Sequence, residues 1–158
     1  PVQFRRFLFT LIFLVFNIKL NTMMNTRKTI YSWKLFDLDC KKIARWAKSK
    51  KFKNIYGIPR GGLVVAVQLS HFIDIPIILD YKQISSKTLV VDDISDGGKT
   101  LAKLGKLTKL KSNVATLFWA DTSTPPNFWC RRKLTWVIFP WETNITSKYD
   151  KTDFKNTI

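Results

Sequence analysis

Short apolar runs alternate with longer segments of helical spacing along most of the chain, and this alternation constrains the fold more than any other feature. The short runs are rich in Val, Ile and Leu and predict strands at 54–58, 75–79, 88–92, 113–119 and 136–139. Helical spacing predicts helices at 37–50, 61–73 and 100–110. Strands that alternate with helices predict one α/β domain with a central, mostly parallel sheet flanked by helices.

Two glycine-bearing segments, 57–62 and 92–100, each begin where a predicted strand ends. The carboxyl ends of parallel strands lie at one edge of a sheet, and ligands of such domains bind there, among the loops. We therefore expect the two segments to lie together and to form one binding site.

The second of these segments joins carboxylates to glycines. Together with the preceding strand, residues 89–100 read LVVDDISDGGKT. A P-loop requires a glycine five residues before its Gly-Lys pair. Counting back from Gly98, which precedes Lys99, that position holds Asp93, so a P-loop is excluded. Carboxylates beside a glycine turn instead indicate a ligand with two chemically different ends.

A ribose 5-phosphate has two such ends. The strand brings Asp92 and Asp93 to the sheet edge, where carboxylates can accept hydrogen bonds from neighbouring sugar hydroxyls. The glycine turn at 97–98 opens a helix and presents main-chain N–H groups and the Thr100 hydroxyl to a phosphate. Asp96 lies between the sugar end and the phosphate end, where a carboxylate can act as a proton acceptor.

The first glycine-bearing segment is suited to a pyrophosphate. Its sequence, GIPRGG, lacks the GxGxxG spacing of a dinucleotide-binding loop. It places Arg60 beside the main-chain amides of Gly61 and Gly62 at the start of a predicted helix. An arginine beside unshielded amides binds pyrophosphate oxygens well.

These segments resemble the type I phosphoribosyltransferases. That family's signature for phosphoribosyl pyrophosphate is an apolar strand, two acids, two spacers, a third acid, a glycine turn and a threonine, and residues 89–100 follow it in order. Residues 56–70 are similar to the family's pyrophosphate loop, and TWVIFPWE at 135–142 is similar to the base-binding strand of its xanthine–guanine branch. The resemblance extends in order from about residue 32 to residue 142.

The resemblance implies a type I phosphoribosyltransferase-like fold with a short hood region. It also implies a purine phosphoribosyltransferase, a pentosyltransferase of purine salvage. Such an enzyme transfers the ribose 5-phosphate of phosphoribosyl pyrophosphate to guanine, xanthine or hypoxanthine, uses Mg²⁺ and releases pyrophosphate. We expect a cytoplasmic homo-oligomer, either a dimer or a tetramer.

Each predicted site residue receives a role from the resemblance. Asp96 is the catalytic proton acceptor, and Asp92 and Asp93 bind the ribose hydroxyls and Mg²⁺, directly or through water. Trp136 stacks on the base, and the main chain of Val137 contacts its edge. The 5-phosphate loop comprises Asp96, Gly97, Gly98, Lys99 and Thr100, and the pyrophosphate loop comprises Pro59, Arg60, Gly61 and Gly62.

Three features depart from the family pattern. Only residues 82–87 precede the third strand, where the family has a long loop that closes over the site. No lysine occurs in residues 118–126, where the purine branch has one that contacts the exocyclic oxygen of the base. Gly97 replaces the usual threonine, and Lys99 replaces the second glycine of the loop. One hydroxyl contact to the phosphate is therefore lost, and the positive charge of Lys99 offsets it.

A formal net charge of +16 would suit a polyanionic partner. The lysines are dispersed, which favours a solvated face over a nucleic-acid tract. The alternative function is a non-catalytic regulator of the same fold that senses phosphoribosyl pyrophosphate or a nucleotide and binds nucleic acid. Cys40 and Cys130 have no metal-ligand spacing and fit a reducing compartment.

The first residues differ from the rest. The apolar run FLFTLIFLVFNI at 7–18 is too short to span a bilayer comfortably. We predict that residues 1–22 are a leader outside the natural domain; a membrane anchor and a segment packed on the domain are the alternatives. Residues 23–145 are the predicted phosphoribosyltransferase domain and 146–158 a polar tail, and we expect no stable membrane association.

Overall fold

The computed structural model describes residues 6, 28–108, 113–121 and 124–143. The predicted tail, and the predicted leader apart from Arg6, lie outside the described residues. No helix in the described part of the chain has the length and apolarity needed to cross a membrane. In chain order the elements are β1 (Lys28–Ile30), α1 (Trp33–Lys48), β2 (Asn54–Gly57), α2 (Gly61–Ile73), β3 (Ile77–Ile78), a 3-10 turn (Tyr81–Gln83), β4 (Thr88–Ser95), α3 (Lys99–Thr108), β5 (Asn113–Trp119), β6 (Phe128–Arg132) and β7 (Trp136–Ile138).

Five strands form one sheet in the order β3-β2-β4-β5-β6, and every neighbouring pair is parallel. Helices α1 and α2 contribute to the hydrophobic cluster on one face, and Leu104 of α3 contributes to the cluster on the other. The predicted α/β fold is therefore confirmed, with helices on both faces of the sheet.

Strand β4 lies at the centre of the sheet and carries the acidic segment to its edge. Leu89 and Val91 are buried against α1 and α2, whereas Val90 is buried on the α3 side. Burial on both faces explains why this strand is a continuous apolar run and not an alternating one. The run ends at Asp92, which places the carboxylates at the carboxyl edge of the sheet.

The final strands differ from the prediction. The sequence predicts the fifth strand at 136–139, but the fifth strand of the sheet is β6. Strand β7 pairs in parallel with β1 in a separate two-stranded sheet, and the N–H of Tyr31 extends the pairing by donating to the carbonyl of Ile138 over 2.9 Å. This small sheet corresponds to the predicted short hood region.

Helix α1 begins after Ser32, whose Oγ accepts a hydrogen bond from the N–H of Leu35 at 3.3 Å. Its buried face consists of Phe36, Asp39, Cys40, Ile43, Ala44 and Ala47. Leu38, although apolar, lies off this face and is 46% exposed.

An ion network centred on the buried Asp39 ties α1 to the edge strand β6. The Asp39 carboxylate has no exposed surface and accepts hydrogen bonds from Tyr31 Oη at 2.9 Å, Lys42 Nζ at 2.7 Å and Arg131 Nε at 2.5 Å. Burial, and then the charge of Asp39, raises the pKa of Tyr31, so the phenol stays protonated and donates. Strand β6 is therefore fixed by charge as well as by its pairing with β5.

Candidate active site

A cavity of about 350 Å³ lies at the carboxyl edge of the sheet. Its wall combines the residues after β2 with the end of β4 and with strand β7. The predicted site residues that line it are Pro59, Arg60, Gly61, Asp92, Asp93, Asp96, Thr100, Trp136 and Val137. The two glycine-bearing segments therefore meet, as the strand pattern predicts, while the role of each residue stays a prediction.

The two neighbouring carboxylates differ in burial and in the groups they meet. Asp92 is 8% exposed, and its Oδ1 accepts a hydrogen bond from the N–H of Asp93 at 3.0 Å. Asp93 is half-buried, and its Oδ1 accepts from the N–H of Ile94 at 2.7 Å. A main-chain N–H group thus binds one oxygen of each carboxylate, and both residues line the cavity.

The pyrophosphate segment packs directly against β4. A Cβ at Gly62 would lie 2.5 Å from the carbonyl oxygen of Val91, and a Cβ at Gly57 would lie 2.5 Å from the carbonyl oxygen of Gly62. Only glycine allows these close approaches. Arg60 is exposed at the cavity wall, and the peptide bond that joins it to Pro59 is cis.

The predicted 5-phosphate loop turns into α3, which begins at Lys99. Gly98 has φ of 67°, a left-handed conformation that favours glycine, and its carbonyl accepts from the N–H of Ala102 at 2.9 Å. A Cβ at Gly97 would meet no atom within 4 Å. Of this loop, Asp96 and Thr100 line the cavity, and Gly97, Gly98 and Lys99 do not, nor does Gly62 of the pyrophosphate segment.

The hood sheet supplies the predicted base end of the cavity. Trp136 is 52% exposed and presents a large aromatic ring, whereas Val137 beside it is buried. Glu142 also lines the cavity, and its Oε2 accepts a hydrogen bond from the N–H of Phe139 at 3.2 Å. An open aromatic ring at a cavity wall can stack on a planar base.

Lys133 is a cavity residue that sequence reasoning did not find. Its Nζ lies 2.5 Å from Oδ2 of Asp96 and 5.9 Å from the centre of the Trp136 ring. The lysine follows β6, a strand that the sequence pattern did not predict, so no signal in the sequence connected it with Asp96. Its position depends on where β6 ends in the fold.

The acids of the cavity suit Mg²⁺ that arrives with a substrate. No group of three or more His, Cys, Asp or Glu side chains among the described residues could hold a metal ion. Magnesium keeps several waters and binds through one or two carboxylates together with substrate phosphates. Asp92 and Asp93, adjacent at the cavity wall, are a pair of this kind.

No protein-family model matches the chain. A xanthine-guanine phosphoribosyltransferase from Desulfotalea psychrophila is 29% identical over 137 residues, covering 71% of this chain and 84% of that protein. A purine phosphoribosyltransferase from Pyrococcus horikoshii has a crystal structure that matches this one with a TM-score of 0.67 at 29% identity, over 73% of this chain and 94% of the other. The chain has the type I phosphoribosyltransferase fold.

Two further crystal structures share this phosphoribosyltransferase fold at lower identity. The xanthine-guanine-hypoxanthine phosphoribosyltransferase of Helicobacter pylori has a TM-score of 0.67 at 20% identity, over 78% of this chain and 99% of that one. A hypothetical protein from Neisseria gonorrhoeae with bound ppGpp has a TM-score of 0.62 at 19% identity, over 78% of this chain and 94% of that one. These two structures show the shared fold, and the relatives at 29% identity confirm the resemblance to the xanthine–guanine branch inferred from the sequence.

Proposed function

We propose that the chain is a purine phosphoribosyltransferase of purine salvage. Its substrates are phosphoribosyl pyrophosphate and a purine base of the guanine, xanthine or hypoxanthine type. The observation that carries the proposal is that one cavity brings together Arg60, the carboxylates of Asp92 and Asp93, the start of α3 and the open ring of Trp136. A pentose phosphate, a pyrophosphate and a planar base each find a chemically suited partner there.

The reaction replaces one bond at C1 of the ribose by another. A ring nitrogen of the base forms a bond to C1, the bond from C1 to the pyrophosphate oxygen breaks, and its electron pair leaves with pyrophosphate. The transition state resembles an oxocarbenium ion, so catalysis depends on charge placement and orientation. Asp96 takes the proton that the base loses, which makes it the general base.

The other cavity residues hold the sugar phosphate in place. Asp92 and Asp93 accept hydrogen bonds from the ribose hydroxyls, and Arg60 donates to the pyrophosphate oxygens. Main-chain N–H groups at the start of α3 and the Thr100 hydroxyl bind the 5-phosphate. Asp92 and Asp93 would hold Mg²⁺, directly or through water, and the metal would supply positive charge at the leaving group.

A second candidate is a non-catalytic regulator of the same fold that binds phosphoribosyl pyrophosphate or a nucleotide and also nucleic acid. It is favoured by the segment between β3 and β4, whose only regular structure is the 3-10 turn Tyr81–Gln83, too short for a lid that excludes water. The net charge of +16 favours it as well. For either function we propose a cytoplasmic homo-oligomer.

Pyrophosphate release separates the two candidates. The full chain is incubated with phosphoribosyl pyrophosphate, Mg²⁺ and, in turn, guanine, xanthine, hypoxanthine and adenine. Each incubation is repeated with a chelator that removes the Mg²⁺. Transferase activity predicts pyrophosphate and nucleoside monophosphate in equal amounts, lost on chelation. Saturable binding of phosphoribosyl pyrophosphate without product from any base would reject the enzyme. Salt-sensitive binding to arbitrary nucleic acid would then support the regulator.

A further inference from the structure

Strand β3 is an open edge of the five-stranded sheet. Among the described residues it pairs only with β2, and the carbonyl of Pro76 accepts a hydrogen bond from the N–H of Ile55 at 2.9 Å. Successive residues of a strand direct their main-chain groups to opposite sides. Because Pro76 bonds toward β2, Ile77 and Leu79 direct their N–H and C=O groups outward. An edge of this kind is a template for a further strand.

Leu79 protrudes at this edge, with a side chain that is 79% exposed. Ile77 packs on the α1–α2 face of the sheet and Ile78 on the α3 face, so alternation along the strand places Leu79 on the α1–α2 face. One exposed leucine is ordinary on a protein surface. This leucine, however, lies beside an open strand and beside a cavity.

The cavity has a volume of about 380 Å³ and opens at the same edge of the sheet. Ile77, two residues before Leu79, is part of its wall. Leu79 does not line the cavity, and its exposure shows that it does not fill it within one chain. The wall consists of Ser70, Asp74, Ile75, Pro76 and Ile77. A protruding apolar side chain and an apolar cavity at one edge are complementary between two copies of the chain.

The charge of the chain also favours a second copy as the partner at this edge. With a formal net charge of +16, two copies repel each other over most of their surfaces. The longest stretch of the sequence without Lys or Arg lies between Arg60 and Lys82, and it contains β3. Its only charged side chains are those of Asp74 and Asp80. Two basic chains can meet here without opposing lysines, whereas a polyanion finds no cation along the strand.

We propose that two copies of the chain pair antiparallel along β3, with Leu79 of each copy in the cavity of the other. The inference rests on the homo-oligomer proposed for either function and assigns its surface. A twofold axis at Ile78 sets Ile77 opposite Leu79 of the second copy, and these are the residues whose main-chain groups face outward. The contact is isologous, because each copy supplies one leucine and one cavity.

Charge selects this register over the neighbouring one. With the axis at Ile78, Asp74 lies opposite Lys82 of the second copy, and the pair occurs twice. With the axis at Ile77, Asp74 would lie opposite Asp80, and like charges directly opposite are destabilising. Asp74 and Lys82 are exposed, and neither forms an ion pair within the described part of one chain.

Sedimentation velocity of the full chain, over a range of protein concentrations, measures the dimer. Leu79→Lys should raise its dissociation constant by at least about 100-fold, because two leucines lose their burial. Ile30→Lys is the matched control, since Ile30 is also 79% exposed and lies on β1 of the hood sheet. The control should associate as the wild type does.

A charge exchange tests the register. Lys82→Glu should weaken the dimer by about 2–30-fold, the range for two exposed ion pairs, and Asp74→Lys alone should weaken it similarly. The double variant with both changes should associate as the wild type does. Lysine is compatible with the backbone at 74, because Lys51 has φ of 53° and Asp74 has φ of 52°.

Dissociation of Leu79→Lys but not of Ile30→Lys, with recovery in the double variant and unchanged melting temperatures, supports the interface. A wild type that stays monomeric overturns it, and so does a Leu79→Lys variant that associates as the wild type does. A double variant as weak as Lys82→Glu, or equal dissociation of Leu79→Lys and Ile30→Lys, overturns it as well. Sedimentation requires no turnover, so the interface can hold where phosphoribosyl transfer fails, and the reverse.

Discussion

The carboxylate of Asp93 lies against the backbone of Gly61, so closely that a Cβ at position 61 would fall 1.7 Å from Oδ2. The two residues are distant in sequence and belong to the two glycine-bearing segments that meet at the cavity. The absence of a side chain at 61 therefore allows the predicted pyrophosphate segment and the carboxylate of Asp93, proposed to bind the ribose, to approach each other at one cavity.

Gly61→Ala should displace Asp93 and weaken the binding of phosphoribosyl pyrophosphate. The new methyl group and the carboxylate cannot occupy the same space, so the acid must rotate away from the cavity. Loss of one charge-assisted contact predicts an increase in the dissociation constant of about 10–100-fold. Titration calorimetry with phosphoribosyl pyrophosphate and Mg²⁺ measures it.

Gly105→Ala is the control for that variant. Gly105 lies within α3, and a Cβ there would meet no atom within 4 Å. Alanine should stabilise the protein by about 0.5–1 kcal/mol, because it lowers the backbone entropy lost on forming the helix. Equal affinities of Gly61→Ala and Gly105→Ala for phosphoribosyl pyrophosphate would contradict the contact between residues 61 and 93.

The ion network around the buried Asp39 predicts unequal effects for two aspartates of α1. Asp39 is fully buried and accepts hydrogen bonds from three residues, whereas Asp37 is partly exposed and pairs only with Lys41, at 2.6 Å, in the described structure. Asp39→Asn should lower the free energy of unfolding by about 1–3 kcal/mol, because the groups that donate to the buried carboxylate lose their charged acceptor. Asp37→Asn should lower it by less than about 1 kcal/mol. Urea denaturation measures both, and similar losses would show that the network contributes nothing beyond a surface pair.

Two thiols have raised pKa values in the folded protein, and we therefore expect its stability to fall at high pH. Burial raises the pKa of Cys130 from 9.0 to about 12 and raises that of Cys40 further. Both thiols are protonated in the folded and unfolded states below pH 9, so their contribution is fully present there. Above pH 9 only the unfolded state loses the protons, and each thiol lowers the free energy of unfolding by up to about 1.4 kcal/mol per pH unit until its folded pKa is reached.

Urea denaturation at pH 7.5 and at pH 10.5 would measure this fall. The Cys40→Ala, Cys130→Ala double variant is the matched comparison, since it keeps every other titrating group. We expect a smaller loss of stability in the variant between the two pH values. The same loss in both proteins would contradict the assignment of the effect to the thiols.

The main elements were predictable because local pattern and tertiary burial agree. The central strand β4 is apolar because both its faces are covered, and helix α2 occupies the residues that the sequence predicts, 61–73. The acidic segment was recognisable because its spacing is continuous in the chain. Where the residues that form an element and the residues of the site lie in one continuous segment, both can be predicted from the sequence.

The missed features depend on contacts between distant segments. Strand β6 is an edge strand that ends in two arginines and whose partner on α1 is the buried Asp39, a residue type usually found on the surface. The pairing of β7 with β1 joins segments that are far apart in sequence. Lys133 reaches Asp96 only because β6 ends beside β5, so neither its position nor its partner has a local signal.

The most direct test of the account is the formation of nucleotide by Asp96→Asn. The full chain, in molar excess over radiolabelled hypoxanthine, is mixed with that base, phosphoribosyl pyrophosphate and Mg²⁺. The formation of inosine monophosphate is then followed through a single turnover. Asn keeps the shape of the side chain but cannot take the proton, so the rate should fall by about 10²–10⁴-fold. Asp37→Asn, on the surface of α1, should keep the wild-type rate. An Asp96→Asn variant as fast as the wild type would contradict the assignment of this cavity as the site of phosphoribosyl transfer.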